Sequence, residues 1–169
     1  GNDLMIEVED GSAEYPLTID PLLTQQEQLR AIDGGFDDQF GNAVSISGDT
    51  SLIGAYLDKL ENNLQQGAAY IFVRSGTSWT QQQKLTAADG ATADLFGKSV
   101  ALSGDTAIVG AYHANVSGHS EQGAAYVFVR RGTSWTQQQK LTAADAAAGD
   151  LFGFMVAVSG GRIIVGGGG

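Results

Sequence analysis

Sliding the chain along itself by 56 residues superimposes Phe40-Gly41 on Phe96-Gly97 and then on Phe152-Gly153, with no gap. Residues 40–95 and 96–151 share 35 identities in 56 positions, far more than chance supplies, so the chain is an array of one repeated unit. The same shift carries Leu29 and Asp33 onto Leu85 and Asp89. Residues 24–39 therefore read as the tail of a preceding unit, 40–95 and 96–151 as complete units, and 152–169 as part of a third. Residues 1–23 stand apart as a lead-in. Leu4 to Glu9 and Ala13 to Ile19 alternate across Asp10-Gly11, a hairpin signal, and both prolines of the chain lie in this segment.

Within a unit, period-two patterning and turn signals mark four short strands, and no segment carries helical apolar spacing. Ala43 to Ser47 and Thr50 to Tyr56 flank Gly48-Asp49, where Gly at the first turn position suits a type II′ hairpin; Gly104-Asp105 repeats it. The third strand, Gly67 to Arg74, opens with small residues and turns apolar at Tyr70 and Phe72, as a buried strand does. The fourth alternates Trp79, Gln81, Gln83 and Leu85 against Thr80, Gln82, Lys84 and Thr86, a polar mixture suited to a sheet edge. The fold class expected is all-β: tandem four-stranded antiparallel sheets, propeller-like blades incomplete in this chain, preceded by a β-hairpin. Two complete units and parts of two others are fewer than a closed propeller needs. The open faces are expected to be completed by further chain, by the N-terminal segment, or by that segment of another copy. Gly167-Gly168-Gly169 stands where Ala-Tyr is due, and is read as a tail or scar.

Charge and composition remove several function classes. With 19 acids, 9 bases, a net charge of −10 and no Lys/Arg cluster, the chain repels nucleic acid and anionic membranes. No apolar run approaches a membrane span. The absence of cysteine excludes thiol catalysis, zinc–thiolate sites and disulfides. Gly1-Asn2-Asp3 lacks the features of a signal peptide and reads as a mature or excised start. There is no Gly-x-Ser-x-Gly, no phosphate-cradling glycine pattern, and no carboxylate pair distinct from its repeated copies. The expectation is a protein without catalytic residues.

Phe40, Gly41 and Gly54-Ala55-Tyr56, repeated as Phe96, Gly97 and Gly110-Ala111-Tyr112 and begun again at Phe152 and Gly153, resemble the FG-GAP repeat, with Tyr in place of the usual Pro. That repeat is known from the integrin α-subunit propeller and many bacterial surface proteins. The resemblance spans residues 24 to 166, and it implies a propeller-like module at the cell surface or outside the cell. Calcium-binding members of the family carry an acidic loop of the Asp-x-Asp/Asn-x-Asp-Gly kind between Phe-Gly and Gly-Ala-Pro. Here that interval holds only the hairpin Ser47-Gly48-Asp49-Thr50, so the calcium site is not carried over and no cofactor is expected.

Antiparallel order places the tight Gly turns on one face and the longer loops on the other. The loop face carries Asp33, Asp37, Asp38, Asp58, Glu61, Asp89, Asp94, Glu121, Asp145 and Asp150. These read as solvated carboxylates and turn caps, or as a docking face for a basic or polyhydroxyl partner or a weak cation site. The loop between the second and third strands is the most informative. Leu57 to Gln65 and His113 to Glu121 share no residue at nine positions, while everything around them is nearly copied. Asp58, Glu61, His113, His119 and Glu121 are the candidate contact residues, since divergence on a rigid scaffold marks either contacts or freedom from constraint. A metal at His113, His119 and Glu121 has no counterpart in the other unit. Asn115-Val116-Ser117 is a glycosylation sequon. Trp79 and Trp135 recur at one strand position and are assigned to packing between units, with carbohydrate stacking as the alternative.

The function expected is a non-enzymatic extracellular adhesion or surface-scaffold module that binds proteins or copies of itself. The alternatives are a self-assembling filament subunit, joined head-to-tail by strand addition, and an accessory domain of a larger secreted enzyme.

Overall fold

The structure, a computed structural model, describes residues 27–60, 63–145 and 147–168; the expected lead-in hairpin lies outside them. Ten strands and no helix are found among the described residues: β1 Phe40–Ser47, β2 Thr50–Ala55, β3 Ala68–Ser75, β4 Ser78–Leu85, β5 Ser99–Ser103, β6 Thr106–Ala111, β7 Ala124–Arg131, β8 Ser134–Leu141, β9 Met155–Ser159 and β10 Arg162–Gly166. β1 to β4 form one antiparallel sheet in chain order, β5 to β8 a second, and β9 with β10 the start of a third. The sheets stack as incomplete propeller-like blades, as the sequence predicts. The Gly48 and Gly104 turns have positive φ at glycine alone, the type II′ pattern, whereas Gly160 and Gly161 are both positive, the type I′ pattern.

Each sheet has two apolar faces. Leu52, Ala69, Ile71 and Leu85 of the first sheet meet Leu102, Val109, Tyr126, Phe128 and Trp135 of the second. The second sheet's other face, with Ala101, Ile108, Ala125 and Val127, packs on Val156, Val158, Ile163 and Val165 of the third. The first sheet's other face holds Ile53, Tyr70 and Phe72, touched by Leu29, Ala31 and Trp79. The rings of Phe40 and Phe96 stack on aromatics of their own units, whereas Phe152 packs on the second unit's cluster. Phe96 lies edge-to-face with Tyr126 and Phe128, centroids 5.5 and 6.0 Å apart, and Phe40 repeats this with Tyr70 and Phe72.

The paired glycines mark where one unit's backbone touches the next. A Cβ on Gly54 would come within 1.9 Å of the Gly97 carbonyl oxygen, and one on Gly97 within 2.2 Å of the Ala68 oxygen. No side chain fits in that space, which accounts for Gly at both motif positions. Phe96 N–H then donates across the junction to the Gln66 carbonyl, and the N–H groups of Ala93 and Leu95, in the segment leading to it, donate back to the carbonyls of Leu64 and Gln65. The next junction repeats them from Gly149, Leu151 and Phe152 to Ser120, Glu121 and Gln122.

The fourth strand departs from simple alternation. Phe72 pairs with Gln81 but Ile71 pairs with Gln83, so Gln82 is an extra, bulged residue, and the register shifts at the same place in β7–β8. The bulge reverses the facing of the residues beyond it. Trp79 therefore joins the face of Tyr70 and Phe72, while Gln83 and Leu85 face the following unit, instead of all three sharing one side. That switch has a use. The Gln83 side-chain amide clips the main chain of Trp135, accepting from its N–H at 2.8 Å and donating to its carbonyl at 2.7 Å. Trp135 Nε1 donates to Gln82 Oε1 at 3.1 Å, so the bulged residue also ties the sheets together. Trp135 is 3% exposed, which makes it packing between units, as expected; Trp79 is only half-buried.

Candidate functional site

The β2–β3 loops grow from one backbone plan. In the first unit Asp58 N–H donates to the Ala55 carbonyl, Leu60 bridges Asn63, and Gly67 N–H returns to the Asp58 carbonyl. In the second unit Ala114, Val116, His119 and Gly123 make the same bonds at the same offsets. Gln65 and Glu121, the last residues of the two loops, both hold positive φ, at 57° and 51°. The described positions of the two loops thus share one set of main-chain bonds without a shared residue. Glu61 lies outside the described residues.

Asp58 is not a contact residue. It is 3% exposed and accepts from the Tyr70 hydroxyl at 2.5 Å and from Lys84 Nζ at 2.9 Å; Lys84 also holds Asp33 at 2.7 Å. Burial works against charge on Asp33, but the Lys84 ammonium overrides it and keeps the carboxyl below its usual range. Burial likewise works against charge on Lys84, and the two carboxylates outweigh it and raise the ammonium's pKa. Burial, then the Asp58 carboxylate, pushes the Tyr70 hydroxyl far up. In the second unit Ala114 replaces Asp58. Lys140 keeps Asp89 at 2.6 Å, while the fully buried Tyr126 hydroxyl has no partner at ordinary hydrogen-bond distance among the described residues, and burial and the nearby Asp89 carboxylate push its pKa up.

Three acids of the loop face are internal caps. Asp38 accepts from Gly35 N–H, Asp94 from Ala91 N–H at 2.8 Å and Asp150 from Ala147 N–H at 2.6 Å, each just before a Phe-Gly pair. Asp38 and Asp94 are buried, and burial raises the Asp94 pKa. The acidic face is thus thinner than the sequence suggests, because several of its carboxylates point inward to donors.

The second unit's loop places His113 and Glu121 together, with Nδ1 4.0 Å from the carboxylate. No third metal-ligating group joins them among the described residues. His119 sits instead at the bridge to Val116, across a turn in which Ser117 and Gly118 hold positive φ. Asn115 is exposed, and its Oδ1 accepts from Glu121 N–H at 3.0 Å.

A feature missed in the sequence adjoins this loop. Tyr56 and Tyr112, at the usual proline position of the motif, meet the residue just after the next unit's Phe-Gly. Lys98 Nζ lies 4.1 Å from the Tyr56 ring centroid, and Phe154 lies edge-to-face with Tyr112 at 5.3 Å. His113 packs on the same Tyr112 ring at 4.2 Å. Burial, then Tyr56 and Glu121, raises the Tyr112 pKa, which places all these groups in one neighbourhood. The signal was present, as Tyr for Pro with a substituted position one residue after each Phe-Gly.

The FG-GAP repeat family matches the chain at residues 23–72, 79–128 and 135–169. The second segment starts at Trp79 and the third at Trp135, so both take the fourth strand of one sheet together with strands of the next. That phasing agrees with the clip between Gln83 and Trp135, since the fourth strand also binds across the junction. No curated protein matches the chain. FG-GAP repeats are typical of extracellular and surface proteins. With three copies covering most of its length, and with its paired glycines placed where unit touches unit, the chain belongs to the FG-GAP repeat family.

Proposed function

We propose that the chain is a non-enzymatic extracellular scaffold of adhesion type, whose stacked sheets supply rigidity and whose β2–β3 loops supply contacts. The observation that carries this reading is the pair of loops with one backbone and no common side chain. A loop free of constraint drifts in conformation as well as in sequence. Here main-chain bonds to the segment leading into the next unit hold the ends of both loops while their side chains differ, the arrangement suited to contacts specific to each unit. The main charged groups support a structural reading over a catalytic one, because Asp33, Asp58, Lys84, Asp89 and Lys140 are held in ion pairs and Asp94 in a cap. The test is a loop exchange in which residues 113–121 take the sequence of 57–65. Beads coated with each chain are scored for retention on cell, protein and polysaccharide surfaces. The exchange should leave the melting temperature within about 3 °C and change which surfaces retain the beads. An unchanged retention pattern refutes the proposal.

A second reading, a filament of copies stacked head-to-tail, is favoured by the end faces. Val44 and Ile46 of β1 are 68% and 64% exposed, whereas their counterparts Val100 and Leu102 are covered by the first sheet. Ile164 is exposed at the other end, and its counterpart Ile108 is fully buried. Each end therefore presents a surface that a further unit covers elsewhere in the array, and a copy seated there makes a heterologous contact that propagates. Negative-stain images at high protein concentration test this, with discrete particles counting against it.

A further inference from the structure

We infer that the aromatic shelf at the root of the second unit's loop, built from Tyr112, Phe154, His113 and Glu121, is a binding site for a neutral saccharide. This rests on the reading of the loop face as the contact face, and it names the chemistry of one ligand there.

The two shelf positions in the array are equivalent by the 56-residue shift, but their chemistry differs. At the first, Lys98 stands over Tyr56, so a cation from the chain itself already occupies the ring face. At the second, Phe154 takes the lysine's place and meets Tyr112 edge-to-face, with interplanar angle 87°. Phe154 remains 39% exposed, and Tyr112 and His113 are half-exposed. The result is two aromatic rings, held at a fixed angle and open to solvent. Both are anchored in backbone that cannot shift, since Tyr112 directly succeeds β6 and Phe154 succeeds a glycine wedged against the Ala124 carbonyl.

Hydrogen-bonding groups border the rings. The Glu121 side chain is 54% exposed, with His113 Nδ1 4.0 Å away, and the Asn115 amide orders the Glu121 main chain. Flat apolar surface edged by a few oriented polar groups fits a sugar ring, which offers an apolar C–H face and hydroxyls around its rim. The local charge argues for a neutral ligand. Lys98 lies over the Tyr56 ring and Glu121 beside His113, one charge of each sign, so neither strongly anionic nor strongly cationic partners are favoured here. The first unit's shelf has Leu57 in place of His113 and Gln65 in place of Glu121, besides the capping lysine, and so is not a second copy of the site.

The experiment is saturation-transfer NMR and titration of the full chain with a panel of neutral oligosaccharides, namely gluco-, manno-, galacto- and N-acetylglucosamine oligomers, beside heparin fragments as an anionic comparison. Binding of at least one neutral oligomer is expected, weakened about tenfold or more by Tyr112→Ala and by Phe154→Ala. Glu121→Gln, a surface change that leaves the packing intact, should weaken binding of the same oligomer, and Tyr56→Ala should leave it unchanged. No binding of any neutral oligomer at millimolar concentration overturns the inference. So does binding indifferent to both Tyr112→Ala and Glu121→Gln, or binding of heparin alone. Loss of saccharide binding in these variants with loop-dependent bead retention on protein surfaces intact separates the two proposals. Loop-dependent retention without any saccharide binding sinks this inference and leaves the contact reading standing.

Discussion

Replacing Asp58 with Ala converts the first unit's buried charge network into the arrangement the second unit already has. The variant loses the bond from the Tyr70 hydroxyl at 2.5 Å and the Lys84 contact at 2.9 Å. A hydrogen bond to a charged group contributes about 1.5–3 kcal/mol, and an orphaned buried hydroxyl costs about 1–3 kcal/mol. Against this stands the recovered cost of burying a carboxylate at a site only 3% exposed. Lys84 is not stranded, because Asp33 holds it at 2.7 Å. The net loss should therefore be about 2 kcal/mol, below the ~3–5 kcal/mol expected when a buried partner is left uncompensated. The second unit shows that the fold accommodates this state, with Ala114 beside the orphaned Tyr126 hydroxyl. Urea unfolding monitored by fluorescence reads the change, since Trp79 and Trp135 report on separate sheets. A loss of that size moves the midpoint by about 1 M. Asp33→Ala combined with Asp58→Ala removes both carboxylates from Lys84, so the double variant should lose more than the sum of the singles. A single-variant effect under about 0.5 kcal/mol, or strict additivity of the pair, refutes the reasoning.

Stability should be flat near neutrality and fall at both extremes. Asp33 and Asp89 have folded pKa values below the ordinary 3.8, so their contribution is present above that value and is lost as pH falls through the lower folded values. Lys84 lies above the ordinary 10.5, so its contribution is present below that value and is lost as pH rises through the folded one; Lys84→Met with Lys140→Met should flatten the acid limb of a melting profile. Trp135→Ala should cost about 3–5 kcal/mol in urea unfolding, and Trp79→Ala about half as much because its ring is half-exposed, with equal losses counting against the packing assignment. Gly97→Ala should prevent native stacking, seen as lost cooperativity in unfolding, since its φ is +96° and a Cβ would lie 2.2 Å from the Ala68 oxygen. A native-like melt of this variant would refute the close-approach account of the motif.

The repeat made the fold legible. The 56-residue shift, the Gly-Asp turns and the buried Gly-Ala-Ala strand all lie where periodicity and turn chemistry place them. The features that the sequence concealed arise from contacts between units. A one-residue bulge at Gln82 leaves no trace in polar alternation, yet it turns Trp79 and Leu85 to opposite faces and frees Gln83 to clip the following Trp. Asp58 read as a loop acid because its partners lie twelve or more positions away, on Tyr70 and Lys84. The loops themselves carried the opposite lesson. Their sequences suggested two unrelated segments, while the described residues share one set of hydrogen bonds, anchored on the backbone that leads into the next unit.

That imposed shape decides how much a loop in this array is free to change. The bonds common to both loops use main-chain groups of residues 55–60, 63–67 and 111–123 and of the segment leading into the next unit's first strand, and Asn63 and Asn115 add side-chain bonds peculiar to each loop, so most side chains there can vary without loss of the fold. The internal position Asp58 shows the limit, because its loss removes the bond from the buried Tyr70 hydroxyl. The outward positions, His113, Asn115 and Glu121, change nothing inside the core. Variation confined to those outward positions alters contacts at nearly constant stability, and each added unit supplies another such loop on the same face. An array of this kind gains binding specificity by changing side chains and gains reach by adding repeats, and the two operate independently because different parts of the unit carry them.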